Sequence, residues 1–168
     1  MNIFNLPKTE EAAIKFLQSK NILPTNKICV NGHEMKLSIG MQIIWRCSQS
    51  SCRSEVNIRV GNWLEGSHIP IVTIVRFIYA WAIGMTAVNN KFCEWELEMN
   101  SKTRTDWNNN LSSICVEHVV NKQKNQGGEN VNVEIHRNRA EFMCRQEVKK
   151  EDFFEWILKK IAEIRPPK

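Results

Sequence analysis

Residues 29–53 read Cys29-Val30-Asn31-Gly32-His33-Glu34-Met35-Lys36-Leu37-Ser38-Ile39-Gly40-Met41-Gln42-Ile43-Ile44-Trp45-Arg46-Cys47-Ser48-Gln49-Ser50-Ser51-Cys52-Arg53. A Cys-x3-His pair and a Cys-x4-Cys pair stand thirteen residues apart. Zn2+ is held by four thiolate or imidazole ligands in a tetrahedron, and two ligands on one tight turn reach the same ion. Asn31-Gly32 supplies such a turn. The expected ligands are therefore Cys29, His33, Cys47 and Cys52. Four ligands fill the coordination sphere, which makes the metal structural rather than catalytic. Between and after the pairs, residues 35–37, 42–46 and 55–60 are β-like runs separated by turn residues, the pattern of a zinc ribbon. The alternative is four unrelated residues, with Cys29 and Cys47 as buried thiols.

Outside this unit the periodicity turns helical. Residues 7–20 predict a short helix, with Pro7 in its first turn, Glu10 and Glu11 at its positive end, and Ala13, Ile14, Phe16 and Leu17 on one face. Asn21 and Pro24 stop it. From Ser67, with Pro70 near the start, Ile71, Ile74, Val75, Ile78, Trp81 and Ala82 keep helical spacing until Gly84. Thr86 to Met99 predicts a second helix through Val88, Phe92, Trp95 and Met99. A third is capped by Ser101, with Trp107, Leu111, Ile114, Cys115 and His118 on one face. Gln126-Gly127-Gly128 is a turn, Val131 to Ile135 alternates like a half-buried strand, and Phe153 to Ile164 is an amphipathic helix. The fold class is α+β. An N-terminal helix (1–26) precedes the zinc ribbon (27–66), a three-helix block (67–125) and a strand-plus-helix tail (126–168).

Composition narrows the class of function. Lys plus Arg number 23 and Asp plus Glu 18, a net charge of +5 that permits a polyanionic partner without demanding one. Residues 1–60 hold eight basic and four acidic side chains and 101–125 hold four and two, while 61–100 are net acidic. The most apolar stretch, Ile69 to Ile83, is shorter than the roughly twenty residues of a membrane span and contains Arg76. The opening Met1-Asn2-Ile3-Phe4 lacks a secretion signal. An intracellular protein with reduced thiols is expected. Cys93 and Cys115 suit core positions. A Cys115/His118 nucleophile pair lacks an orienting carboxylate.

Two helices joined at Glu98-Met99-Asn100-Ser101, after a core helix, fit a helix-turn-helix. Lys102, Thr103, Arg104 and Asn108 then lie where a recognition helix meets the major groove. Arg46, Arg53 and Arg59 add candidate phosphate contacts from the ribbon. Trp81, Trp95 and Trp107 sit on apolar stripes and are expected in the core. The competing reading of the block is a plain three-helix bundle with a solvated polar face.

Several motifs together carry a family resemblance. They are Ile22-Leu23-Pro24, Cys29 to Leu37, Trp45-Arg46-Cys47, Cys52, Arg59 to Ser67, Arg76 to Trp81, and Asp106-Trp107-Asn108-Asn109. In that order, over about residues 10–135, they resemble the N-terminal half of Merlin-type DDE transposases, relatives of a bacterial insertion-sequence family. The resemblance implies a zinc ribbon and a helix-turn-helix that bind transposon ends, followed by the start of an RNase-H-like catalytic domain. In the family a Gly-Gly turn leads into a strand ending Val-Glu-Ile-Asp-Glu-Ser. Here Gly127-Gly128 leads to Val133-Glu134-Ile135-His136-Arg137-Asn138. His136 stands where the first metal-binding Asp belongs. Two-metal phosphoryl transfer needs carboxylate oxygens for hard cations, which an imidazole does not supply. Glu151 and Asp152 are too close together to replace the family's other acids, and capping of a helix start explains them.

The expectation is thus a transposase-derived, zinc-stabilised protein that binds double-stranded DNA, has no strand-transfer activity, and is nuclear if the source is eukaryotic. Besides an enzyme reading, such as a nuclease using Glu134 and His136, which loss of the matched acid disfavours, two alternatives stand beside it. One is a zinc-ribbon protein-interaction module, with a partner or a second copy bound through Phe153, Phe154, Trp156, Ile157 and Ile161. The other is a transposon remnant without function.

Overall fold

The computed structural model describes residues 5–88, 90–125 and 136–168. It is an α+β arrangement in which a three-stranded antiparallel sheet sits beside a helical body. The predicted Gly-Gly turn and the strand 131–135 lie outside the described residues.

Helix α1 spans Glu10–Ser19 and buries Ala13, Ile14 and Leu17. It starts three residues later than predicted because Thr9, not Pro7, sets the end: its hydroxyl accepts from the Ala12 N–H at 3.2 Å. Asn21 closes it in the left-handed region, at φ 57°. Strands β1 (Met35–Ile39), β2 (Ile43–Cys47) and β3 (Glu55–Asn57) pair in the order β1-β2-β3. The register sets Leu37, Trp45 and Val56 abreast, and Lys36, Arg46 and Glu55 abreast one position along. Side chains alternate faces with period two, so the apolar trio turns to the core and the charged trio to solvent.

Helix α2 (Ile71–Ala82) is the centre of the body and buries eight of its residues. Pro70 at its start offers no side-chain cap. The cap comes instead from Glu10 on α1, whose two carboxylate oxygens accept the Ile71 and Val72 N–H groups at 2.7 and 3.0 Å. A carboxylate on two orphan N–H groups at the positive end of a helix is a favourable arrangement.

Within the predicted helix 86–99 the helical segments are α3 (Met85–Val88) and α4 (Asn90–Trp95), with position 89 outside the described residues, and helical backbone ends at Trp95 rather than Met99. After Trp95 the chain reverses: Glu98 has φ 52°, and the Met99 N–H donates to the Cys93 carbonyl. Leu97 and Met99 are buried through this turn, whereas Trp95, expected in the core, is 70% exposed with Lys91 over its ring. Helix α5 (Ser101–Asn125) is capped by Asn100 rather than Ser101, through a 2.8 Å bond from the Thr103 N–H.

Helix α6 (Arg137–Glu147), which the periodicity did not signal, packs along α5. Helix α7 (Phe153–Ile164) has the predicted bounds. Asp152 stands at its N-cap without a side-chain cap bond, so the side-chain capping expected of it is not formed. The apolar face of α7 is not a free docking surface. Phe153, Phe154, Ile157, Leu158 and Ile161 are all buried in the core with α2 and α5. Phe154 stacks on Phe16 of α1, and Glu155 pairs with Lys20 at 2.6 Å. The helix covers this chain's own hydrophobic surface. Among the described residues no helix is long and apolar enough to cross a membrane.

Candidate metal centre

The hairpin register builds the centre. Met35 at the start of β1 pairs with Cys47 at the end of β2, so the loop before β1 and the loop after β2 lie at the same end of the ribbon. The first loop is closed by the Cys29 N–H on the His33 carbonyl and the Gly32 N–H on the Cys29 carbonyl, both 2.9 Å. An Ile28–Glu34 bridge clamps its base. Gly32 sits at φ 79°, a conformation that a side chain resists. The second loop is held by the Cys47 N–H on the Ser54 carbonyl and by the Cys52 and Arg53 N–H groups on the Gln49 carbonyl.

These loops bring Cys29, His33, Cys47 and Cys52 together, with all four ligand atoms within 4.8 Å of one another. Cys29 Sγ lies 3.6 Å from Cys52 Sγ and 3.6 Å from His33 Nδ1, and Cys47 Sγ lies 3.6 Å from the same nitrogen. An ion bound at about 2.3 Å from sulfur and about 2.0 Å from nitrogen, in a tetrahedron, requires ligand-to-ligand edges of roughly 3.5–3.8 Å. The three 3.6 Å edges meet that requirement. The sulfur-to-sulfur edge is far too long for a disulfide of about 2.05 Å. The cluster can hold a metal ion.

The thiols are not equivalent. The Ser54 hydroxyl and backbone N–H, then His33 and Asn31, pull Cys52 down to about 5, far below an ordinary thiol. That thiolate in turn raises His33 above its usual value. The Gln49 backbone N–H lowers Cys47, but burial and the Cys52 and Cys29 sulfurs outweigh it, and the net shift is upward. Burial raises Cys29, and the backbone N–H groups of His33 and Asn31 reverse this to a net lowering. In the metal-free cluster these shifts favour the thiolate form of Cys52 and the protonated form of His33.

The sequence-predicted nucleic-acid residues are not gathered in one place. Lys102 is exposed and pairs with Asp106 at 3.1 Å. Thr103 gives its N–H to the Asn100 cap, and Arg104 is half-buried, within electrostatic reach of Cys93. Asn108 faces inward and accepts a 2.8 Å bond from buried Thr86, which ties α3 to α5. Arg59 is likewise turned inward: it donates to the Ile69 carbonyl at 2.7 Å, and burial lowers its pKa against the pull of Glu10. Arg46 is exposed and paired with Glu55 across the sheet at 2.7 Å, and Arg53 is exposed. His136 is exposed at the N-cap of α6, the start of a helix. His118 faces Glu147 and Trp156, while Cys115 meets Cys144, so the two residues of the suggested nucleophile pair have different partners.

Sequence reasoning used Asn31 only as a turn former and passed over Ser54. Both lie against the Cys52 sulfur, at 3.1 and 3.3 Å. Comparison with protein-family models, with curated proteins and with solved structures finds no match.

Proposed function

We propose that the chain is a zinc-stabilised, transposase-derived DNA-binding protein without strand-transfer activity. The observation that carries the zinc assignment is the Cys29–His33–Cys47–Cys52 cluster, whose edges match a tetrahedral ion at the end of an antiparallel ribbon. Three thiolates and one imidazole favour zinc over hard cations, and with all four positions taken by protein the ion organises the two loops rather than reacting. The DNA-binding part rests on the resemblance to Merlin-type transposases. The exposed basic side chains of Lys102, Arg46 and Arg53 support it as phosphate contacts. His136 in place of the first catalytic carboxylate supports the loss of phosphoryl transfer.

The test is selection of bound duplexes from a random pool by the zinc-loaded chain at physiological salt. The expected result is an enriched motif, with affinity that falls by a log–log slope of about 0.9 per phosphate contact as salt rises. Affinity insensitive to salt would sink the reading.

A second reading, a protein-interaction module, is favoured by the ribbon itself, where Ile28, Val30, Ile39 and Met41 are exposed. It predicts a partner retained at high salt and lost on Val30→Asp or Met41→Asp.

A further inference from the structure

Two side chains outside the ligand set lie within hydrogen-bond distance of the Cys52 sulfur. Cys29 and Cys47 are buried, but Cys52 is only half-buried. An open thiolate is the ligand most easily taken by water, a proton or a competing chelator. Its sulfur nevertheless has two side-chain neighbours outside the ligand set. Asn31 reaches across from the first loop and donates its Nδ2–H at 3.1 Å, and the Ser54 hydroxyl lies 3.3 Å away within the second loop. Cys29 is met by the His33 backbone N–H at 3.4 Å, and the Asn31 backbone N–H and the Ser54 hydroxyl also act on it.

Hydrogen bonds to a charged acceptor are stronger than neutral ones, and two donors from different loops fix the sulfur in direction as well as distance. Such outer contacts typically change metal affinity by about 10–100-fold. We infer that Asn31 and Ser54 are positioning residues for Cys52, holding its sulfur on the metal and setting how fast the metal leaves. This inference rests on the metal reading above. Asn31 then has two tasks: it forms the turn that carries Cys29 and His33, and it bridges to the opposite loop.

The test uses the full chain loaded with cobalt(II), which reports both geometry and sulfur electronics. Asn31→Asp keeps a turn-forming residue but replaces the donor by an acceptor; Ser54→Ala removes the other donor, and Ser54→Thr restores the hydroxyl. Asn31→Asp and Ser54→Ala are each expected to release cobalt to EDTA about tenfold faster than wild type. Each is also expected to shift the sulfur-to-cobalt charge-transfer band to lower energy, because a sulfur without its donors is richer in electrons. Ser54→Thr should behave as wild type. A variant that only loosened the loops would release metal faster with the band unmoved, and that result overturns the inference. Release rates equal to wild type overturn it as well. If wild type shows no tetrahedral cobalt spectrum, the metal reading fails and takes the inference with it; if wild type binds and the variants match it, the inference alone fails.

Discussion

The guanidinium of Arg145 lies 4.8 Å from the centre of the Trp81 ring and donates a 2.9 Å hydrogen bond to the carbonyl of that same residue. A second nitrogen donates to the Ala82 carbonyl at 2.7 Å, and a third to Glu141 at 2.9 Å. Phe153 covers the other contact at 4.6 Å. One side chain of α6 thus donates to two carbonyls at the negative end of α2 and joins α2, α6 and α7.

Arg145→Leu is expected to destabilise the fold by about 2–4 kcal/mol, since the Ala82 carbonyl loses its donor, while the Trp81 carbonyl and Glu141 are left with the Gly84 N–H and the Ser112 hydroxyl. Arg145→Lys should recover only part of this, because an ammonium lacks the planar fork that spreads its donors over separate acceptors while stacking on a ring. Urea denaturation followed by Trp fluorescence measures both, and a loss below about 0.5 kcal/mol for the leucine variant contradicts the assigned role.

Helix α7 offers a contrast between partner binding and core packing. Phe153 and Ile157 are fully or nearly fully buried, so Phe153→Ala should cost about 3–5 kcal/mol and Ile157→Asp should prevent folding. A partner-facing helix would instead tolerate both, with unchanged circular dichroism and melting temperature.

Metal removal should act locally. Chelation of zinc-loaded protein is expected to raise hydrogen exchange across residues 27–60, while α2 and α7, which pack away from the cluster, keep their protection. Cys47→Ser should reproduce the effect and abolish stoichiometric zinc. Retention of one zinc per chain by a Cys47→Ser/Cys52→Ser double variant contradicts the ligand assignment.

The thiols should separate by reactivity with pH. In the metal-free chain at pH 6.5, iodoacetamide should label Cys52 before Cys47, and this preference should fade as pH falls through about 5. Cys115 should resist labelling, because the neighbouring Cys144 thiol and burial hold it protonated. The same shifts give opposite slopes of stability. The folded value of Cys52 is depressed from 9.0, so its contribution is complete above about 9 and lost as pH falls through about 5. The folded value of His33 is raised, so its contribution is complete below 6.5 and lost as pH rises through the raised value. Peptide mapping by mass spectrometry checks the order of labelling.

What the sequence disclosed follows from how each element is held. Helices α2 and α7 were legible because apolar periodicity is what packs them, and the metal cluster because ligand types at loop spacing are themselves the chemistry. Helix α6 was not legible: it buries only Ala140 and Cys144 and docks through Arg145 and Glu141, contacts that carry no hydrophobic pattern. Val88, Phe92, Trp95 and Met99 read as one helical stripe, but helical backbone ends at Trp95, and after the left-handed turn at Glu98 Met99 is buried while Trp95 stays outside. An amphipathic face also does not say what covers it, and α7 turned out to be covered by its own chain. Asn108 and Arg59 look like recognition residues in a sequence because inward hydrogen bonds to Thr86 and Ile69 depend on tertiary placement.

The pairing of α1 with α7 has a consequence for synthesis. Phe16 and Lys20 meet Phe154 and Glu155 across 135 residues of chain, from Lys20 to Glu155. At about 5–20 residues per second, a ribosome needs roughly 7–27 s to produce the second partner after the first. Throughout that interval one flank of the first helix has nothing to rest on. The ribbon, made of neighbouring strands, can form on the nascent chain long before then, whereas the helical body must wait for its last helix to close.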